Sequence, residues 1–284
     1  MQSDSCHNAL PLVSIIIPSA DSHRTIRAAI DSVLSQTYPC IEIIVVLNGN
    51  YGKTHELIRD YKGITILTLD KPNAYMARQH GAELSKGEYI MFLDADDMLH
   101  KGAITEAVKT ITRHAADILQ LKLIQFTTKC HVTLRWKFPC RYDSSDALRG
   151  ILSDASLYNP AMIAKLYRRQ VLMPFPSIDY SGFWGEDRLC NMHIFGRNPI
   201  TVYEPSAIYY YRYGGASRDM TRQALQEEIR EVHTLKIEYL RRHGLHQYLP
   251  DVEKEYACLC AILKRYQHPS LLLKFKMYIS KLLS

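Results

Sequence analysis

Leu93-Asp94-Ala95-Asp96-Asp97 gathers three carboxylates at the end of an apolar run. In extended backbone, residues i and i+2 project to the same side, so Asp94 and Asp96 are expected to converge. Carboxylates held together repel unless a cation or a donor-rich ligand answers them. Mg²⁺ or Mn²⁺ with oxygen ligands, shared with substrate phosphates, is the natural occupant. The alternative is a solvated acidic turn that caps the next helix, because Asp is common at N-caps. A second acidic pair closes Gly182-Phe183-Trp184-Gly185-Glu186-Asp187. Alone it reads as a helix N-terminus rich in acids, which the helix dipole favours.

The elements that would position these groups follow from hydrophobic periodicity. Val13-Ser14-Ile15-Ile16-Ile17 and Ile41-Glu42-Ile43-Ile44-Val45-Val46-Leu47 are continuous apolar, β-branched runs. They are closed by Pro18-Ser19-Ala20-Asp21 and Asn48-Gly49-Asn50. Further strands are expected at 64–69 and 88–93, with helices at 25–36, about 53–61 and about 74–85 between them. Apolar strands alternating with helices indicate a parallel sheet covered on both faces. In such sheets ligands bind outside the carboxyl ends of the strands, which is where Asp94 and Asp96 fall. Arg78 lies in the helix Asn73-Ala74-Tyr75-Met76-Ala77-Arg78-Gln79-His80-Gly81, which leads into the acidic strand.

Beyond residue 115 the pattern changes. Two strands at 117–128 and 131–138 form a plausible hairpin through Lys129-Cys130, and a short helix covers 143–152. Residues 161–171 are mixed, Pro174, Pro176 and Gly182 mark an irregular loop, and 218–284 is almost wholly helical.

The chain has 284 residues with 47% hydrophobic and 23% charged, which excludes a disordered or fibrous protein. Its net charge of +6 is far below the loading of a dedicated nucleic-acid binder. Nineteen tyrosines against seven Phe and two Trp suit sites that stack on sugars or bases. Seven scattered cysteines form no metal-ligand spacing and read as reduced thiols. With no signal-peptide pattern and no run of ~18–20 apolar residues, the expected location is cytoplasmic.

Taken in order, Val13-Ser14-Ile15-Ile16-Ile17-Pro18, Asp31-Ser32-Val33-Leu34-Ser35-Gln36-Thr37-Tyr38, Glu42-Ile43-Ile44-Val45-Val46 and Gly87-Glu88-Tyr89-Ile90-Met91-Phe92-Leu93-Asp94-Ala95-Asp96-Asp97 resemble the inverting glycosyltransferases of family 2. The resemblance spans roughly residues 12–217. It implies an α/β GT-A fold, a doubly wound and mostly parallel sheet with a C-terminal helical extension. The catalytic domain would be 1–217, with a nucleotide-sugar half at about 12–115 and an acceptor half at about 116–217. The helical extension would be 218–284.

The family pattern implies a role for each matching residue. Asp96 would hold a Mn²⁺ or Mg²⁺ ion, with Asp94 supporting it or contacting the ribose. Pro18, Ala20, Asp21 and Asn48 would line the donor site, and Arg78 would lie near the diphosphate. Ile208-Tyr209-Tyr210-Tyr211-Arg212-Tyr213-Gly214-Gly215-Ala216-Ser217 resembles the strand and loop that bring Arg212 and Ser217 to phosphate oxygens. Asp187 matches the general base that takes the acceptor hydroxyl proton, with Glu186 beside it and Trp184 offering a face to the acceptor sugar. Lys165 in Ala164-Lys165-Leu166-Tyr167 is also similar to the family.

The chain departs from the pattern at Ala20, where an aromatic usually packs on the base, at Asp21, where an Asn or similar is usual, and at Asn48, where an acid commonly reads it. Asn can still accept from a uracil N3–H, so a UDP-sugar is the leading donor and a glycan or lipid-linked glycan the acceptor.

Two rivals remain. A sugar-binding scaffold of the same fold would not need both Asp96 and Asp187. A DxD phosphatase would need its nucleophilic Asp on the first strand. The basic, apolar segment 270–284 either contacts the inner face of a membrane peripherally or packs on its own domain or a second subunit.

Overall fold

Alternate residues of the central early strands enter different cores, which explains why these strands are almost wholly apolar. The computed structural model describes residues 10–71, 73–126, 131–133, 141–153, 158–212 and 221–265. Strands β1 (Val13–Ser19), β2 (Ile41–Asn48), β3 (Ile64–Leu69) and β4 (Tyr89–Phe92) form a parallel unit in the order β3-β2-β1-β4. Ile15, Ile17, Val45 and Met91 face a core shared with α1 (Ile26–Leu34) and with α4 (Ala103–Arg113). Ile16, Ile44, Val46 and Phe92 face the opposite core, which includes α3 (Ala74–Leu84). The short α2 (Gly52–Ile58) links β2 to β3.

The sheet continues in part through strands that periodicity alone did not reveal. β9 (Lys165–Arg168) inserts antiparallel between β4 and β6 (Ile118–Phe126). The long β10 (Thr201–Arg212) runs parallel to β6, with an irregularity between Glu204 and Ile208. The two-residue β5 (Met98–Leu99) pairs antiparallel with the end of β10. β7 (His131–Thr133) pairs antiparallel with β6, the expected hairpin, and β8 (Arg141–Tyr142) pairs with the start of β10. The longest ladders are parallel, so the doubly wound α/β sheet is present, with an antiparallel insertion at its centre.

Helices α5 (Ser144–Leu152) and α7 (Glu186–Phe195) cover the second core, and the single turn α6 (Arg169–Leu172) follows β9. The C-terminal part is a helical pair, α8 (Arg222–Arg242) and α9 (Leu249–Arg265), separated by a break at Gly244 and a 3₁₀ turn at His246–Tyr248. Val232, Ile237 and Leu240 of α8 enter the second core, so the pair is joined to the sheet domain by apolar packing. Among the described residues no helix is long and apolar enough to cross a membrane. Segment 270–284, with its expected membrane contact, lies outside the described residues.

Much of the tyrosine surplus is core. Tyr89, Tyr158, Tyr167 and Tyr209 are among the largest fully buried side chains.

Candidate active site

Because β1, β2 and β4 are parallel, Ser19, Asn48 and Asp94 all fall at one edge of the sheet. The acidic triplet does not continue the strand, as the expected i, i+2 alternation would require. β4 ends at Phe92, and the Asp97 N–H donates to the Asp94 carbonyl at 3.0 Å, closing a turn. That turn brings carboxylate oxygens of Asp94, Asp96 and Asp97 within 4.8 Å of one another.

Asp97 is the buried member, 1% exposed, and β10 holds it. Tyr209 donates its hydroxyl to Asp97 Oδ2 at 2.7 Å, and the Arg212 N–H donates to Oδ1 at 2.7 Å. Arg212 also donates from Nε to the Asp96 carbonyl at 2.8 Å while its guanidinium lies 4.6 Å from the Phe126 ring centroid. The β5–β10 pairing sets this register, opposing Tyr210 to Met98 and Tyr209 to Leu99, the two residues that follow the triplet. Burial, with the neighbouring charges of Asp94 and Asp96, pushes the Asp97 carboxyl well above its usual range, against the pull of its two hydrogen bonds.

This donor set fits a hard divalent cation. Its oxygens are close, and carboxylate oxygens are the ligands Mg²⁺ and Mn²⁺ prefer.

Arg78 is not an ordinary exposed helix arginine. It lies on the buried face of α3, which approaches β1 so closely that a Cβ on Gly81 would sit 2.5 Å from Ile16 Cγ2. Asn73 caps the helix by accepting from the Met76 N–H at 2.9 Å. Arg78 Nη2 donates to Asp94 Oδ1 at 3.1 Å and Nη1 to Asp187 Oδ1 at 3.0 Å, with Glu186 Oε1 at 3.8 Å. Burial opposes its charge, but Asp187, Asp94 and Glu186 together outweigh that and raise its proton affinity.

Glu186 and Asp187 open α7, as an acid-rich helix start should. Gly185 precedes them at φ +92°, a conformation glycine adopts without steric cost. The second Asp187 oxygen accepts from the Met162 N–H at 3.1 Å. Burial, then the charge of Asp187, pushes the Glu186 carboxyl up to about 8, with Arg78 pulling the other way.

Trp184 is half-buried. Its ring packs against both the second core and the α8–α9 cluster of Leu225, Ile229 and Leu259. Ala20 and Asp21 are exposed at the end of β1, with Asp21 at φ +47° and 3.1 Å from His23 Nδ1. Pro18 is buried within β1, and Asn48 is 3% exposed, its Nδ2 3.4 Å from the Val46 carbonyl. Thus Asp94, Asp96, Arg78, Glu186, Asp187 and Arg212 meet at one edge, with Pro18, Ala20, Asp21 and Asn48 at the neighbouring strand ends. Ser217 and Tyr213 lie outside the described residues.

The sequence assigned no role to Asp97, Tyr209 or Lys165. Lys165 is fully buried, donating from Nζ to the Asn159 carbonyl at 2.8 Å and to the Ala161 carbonyl. It thereby orders the turn that presents the Met162 N–H to Asp187. Burial lowers its pKa well below the usual lysine value, against the pull of Asp187. Its signal was a lone lysine amid Ile163-Ala164-Lys165-Leu166-Tyr167.

Residues 14–172 match the model of the family described as glycosyl transferase family 2. The chain is 25% identical over 213 residues to glycosyltransferase GlyA of Streptococcus pneumoniae serotype 4, covering 70% of this chain and 30% of GlyA. It is 32% identical over 186 residues to glycosyltransferase AglE of Haloferax volcanii, covering 62% of this chain and 59% of AglE. The chain therefore spans less than two thirds of either relative.

Its fold is similar to the crystal structure of residues 1–349 of TarS from S. aureus, with a TM-score of 0.65 and 18% identity over 86% of this chain and 71% of that one. The complex of the same fragment with UDP-GlcNAc gives 0.62 and 20%, over 79% and 66%. The ordered motifs, the acidic turn at the end of β4 and the match over 14–172 agree: this chain belongs to glycosyl transferase family 2.

Proposed function

We propose that this protein is a metal-dependent inverting glycosyltransferase. It would move a hexosyl or N-acetylhexosaminyl group from a UDP-sugar to a hydroxyl of a glycan or lipid-linked glycan. The observation that carries the reading is the junction at Arg78, which ties Asp94 of the acidic turn to Asp187 of α7. In this reading one guanidinium links the edge that would hold the cation to the carboxylate that would remove the proton.

In this reading the acceptor oxygen attacks the anomeric carbon from the face opposite the nucleotide. Asp187 takes the hydroxyl proton as the new C–O bond forms, and the old bond leaves its electron pair on the diphosphate. Each carboxylate oxygen has two acceptor sites. The contacts with Arg78 and Met162 therefore leave Asp187 able to receive a proton. Glu186, pushed up to about 8, holds its own proton near neutral pH and is the weaker candidate for the base.

Asp96 and Asp94 would hold a Mn²⁺ or Mg²⁺ ion, which when bound supplies positive charge for the departing diphosphate. Arg212 would add a fork of donors to the same oxygens, together with Ser217. Pro18, Ala20, Asp21 and Asn48 would line the nucleoside side. Trp184 would wall the acceptor side, with the ring anchored against α8. The donor choice draws support from TarS, whose similar fold is described in complex with UDP-GlcNAc.

The test is nucleotide release from UDP-, GDP- and dTDP-sugars with Mn²⁺. Release from a UDP-sugar that disappears in Asp96→Ala is expected. Release as fast in Asp96→Ala as in the wild type would remove the metal assignment, and no release from any donor would remove the transferase reading.

A further inference from the structure

The first turn of α7 is gripped from outside the segment that matches the family. Glu228 of α8 points one carboxylate oxygen at the loop preceding the Glu186-Asp187 pair. Its Oε2 accepts from the Trp184 N–H at 2.8 Å and from the Phe183 N–H at 3.2 Å. Tyr180 closes the same loop, donating its hydroxyl to the Trp184 carbonyl at 2.6 Å. Gly185 then leaves no slack, because a Cβ there would sit 3.0 Å from Val232 Cγ2, also on α8.

One residue past Asp187, Arg188 pairs with Glu255 of α9. Glu255 in turn accepts from Lys236 Nζ at 2.5 Å, and that ammonium also donates to the Leu152 carbonyl at 2.5 Å. The acidic pair is therefore held from before by one helix of the C-terminal pair and from behind by the other.

We propose that Glu228 is a positioning residue for Asp187: its carboxylate clamps the Phe183 and Trp184 amides and so fixes where the first turn of α7 stands. The inference rests on the transferase reading of Asp187. Physically, an oxygen that accepts two consecutive amides fixes the local backbone path. Proton removal in the transition state is sensitive to displacements of about 1 Å. Glu228 need not touch substrate for its loss to be felt in turnover, and the C-terminal pair becomes part of the catalytic apparatus through this contact.

The experiment compares full-length wild type, Glu228→Ala and Glu228→Gln. It uses the UDP-sugar that the wild type turns over fastest, with Mn²⁺, and follows UDP release, UDP binding and hydrogen exchange of the Phe183 and Trp184 amides. Glu228→Ala should lower kcat roughly ten- to hundred-fold while UDP affinity and the donor KM stay within about two-fold, and both amides should exchange faster. Glu228→Gln, whose amide oxygen still accepts from both N–H groups, should restore most of the rate and of the protection. Unchanged amide exchange in Glu228→Ala, or faster exchange with a wild-type kcat, would overturn the proposal. A wild type that releases no nucleotide would instead refute the transferase reading, and with it the positioning role, even if both amides responded as expected.

Discussion

Arg78 joins Asp94 to Asp187, donating 3.1 Å to the first and 3.0 Å to the second from opposite ends of one guanidinium. The two carboxylates belong to elements more than ninety residues apart in sequence. Three acids surround this one buried cation, and what the cation contributes is open to experiment.

Replacing Arg78 by Met keeps much of the side chain's volume and removes the charge. Asp94, Asp187 and Glu186 are then left around an apolar stem. Breaking a buried ion group from one side costs about 3–5 kcal/mol, and urea unfolding should show a loss of that order. Arg78→Lys should recover only part of it, because an ammonium lacks the planar fork that reaches two carboxylates at once. Wild-type stability in Arg78→Met would mean that the cluster is solvated.

Glu186 gives a pH signature whose sign is fixed. Its folded-state carboxyl lies at about 8, above the usual glutamate value, so between those limits the folded chain binds more protons than the unfolded one. The Glu186 contribution to stability is therefore fully present at low pH and is lost as pH rises toward 8. Its slope reaches at most about 1.4 kcal/mol per pH unit. Glu186→Gln should match wild type near pH 5 and be the more stable protein near pH 9. Chemical denaturation at the two pH values measures this, and a difference that does not change with pH would remove the assignment.

Tyr209 should matter through Asp97 rather than by stacking on a ligand, since it is fully buried and its hydroxyl also accepts the Asp94 N–H at 3.2 Å. Tyr209→Phe leaves the Asp97 carboxylate and the Asp94 amide each short of a partner. A cost of about 1–3 kcal/mol is expected, read by thermal or urea unfolding. A neutral substitution would show that water replaces the hydroxyl and that β10 does not fix the acidic turn.

The acidic turn should respond to metal directly. At a hundred-fold excess over its dissociation constant, a bound ion stabilises by about 2.7 kcal/mol. Titrating Mn²⁺ should therefore raise the melting temperature of the wild type and leave that of Asp96→Ala unmoved. Equal shifts in both would place the ion elsewhere.

The parallel half of this fold was legible because buried parallel strands write themselves as nearly continuous apolar runs, as β1, β2 and β4 do, while the edge strand β3 keeps two exposed threonines. β9 was not, because it spans only Lys165–Arg168 and carries a lysine and an arginine. That lysine is satisfied by backbone carbonyls of a neighbouring turn, a contact no periodicity encodes. The start of β10 was hidden by Glu204, Pro205 and Ser206, which coincide with the irregularity in its pairing to β6.

At the site, Asp94, Asp96 and Asp187 could be named from type and order. The linkage of Asp94 to Asp187 through Arg78 could not, because it depends on α3 lying within close reach of the sheet at Gly81. In sequence Asp97 was only the third carboxylate of the triplet, with no role of its own. Its engagement by Tyr209 and Arg212 gives it a structural task.

The central claim is that Asp187 removes the acceptor proton, and Asp187→Asn tests it most directly. The asparagine is nearly isosteric but is no base. UDP release at saturating donor, measured beside UDP affinity, should fall by about 10²–10⁴ with the nucleotide bound as tightly as before. An Asp187→Asn protein that transfers sugar at the wild-type rate would contradict the account.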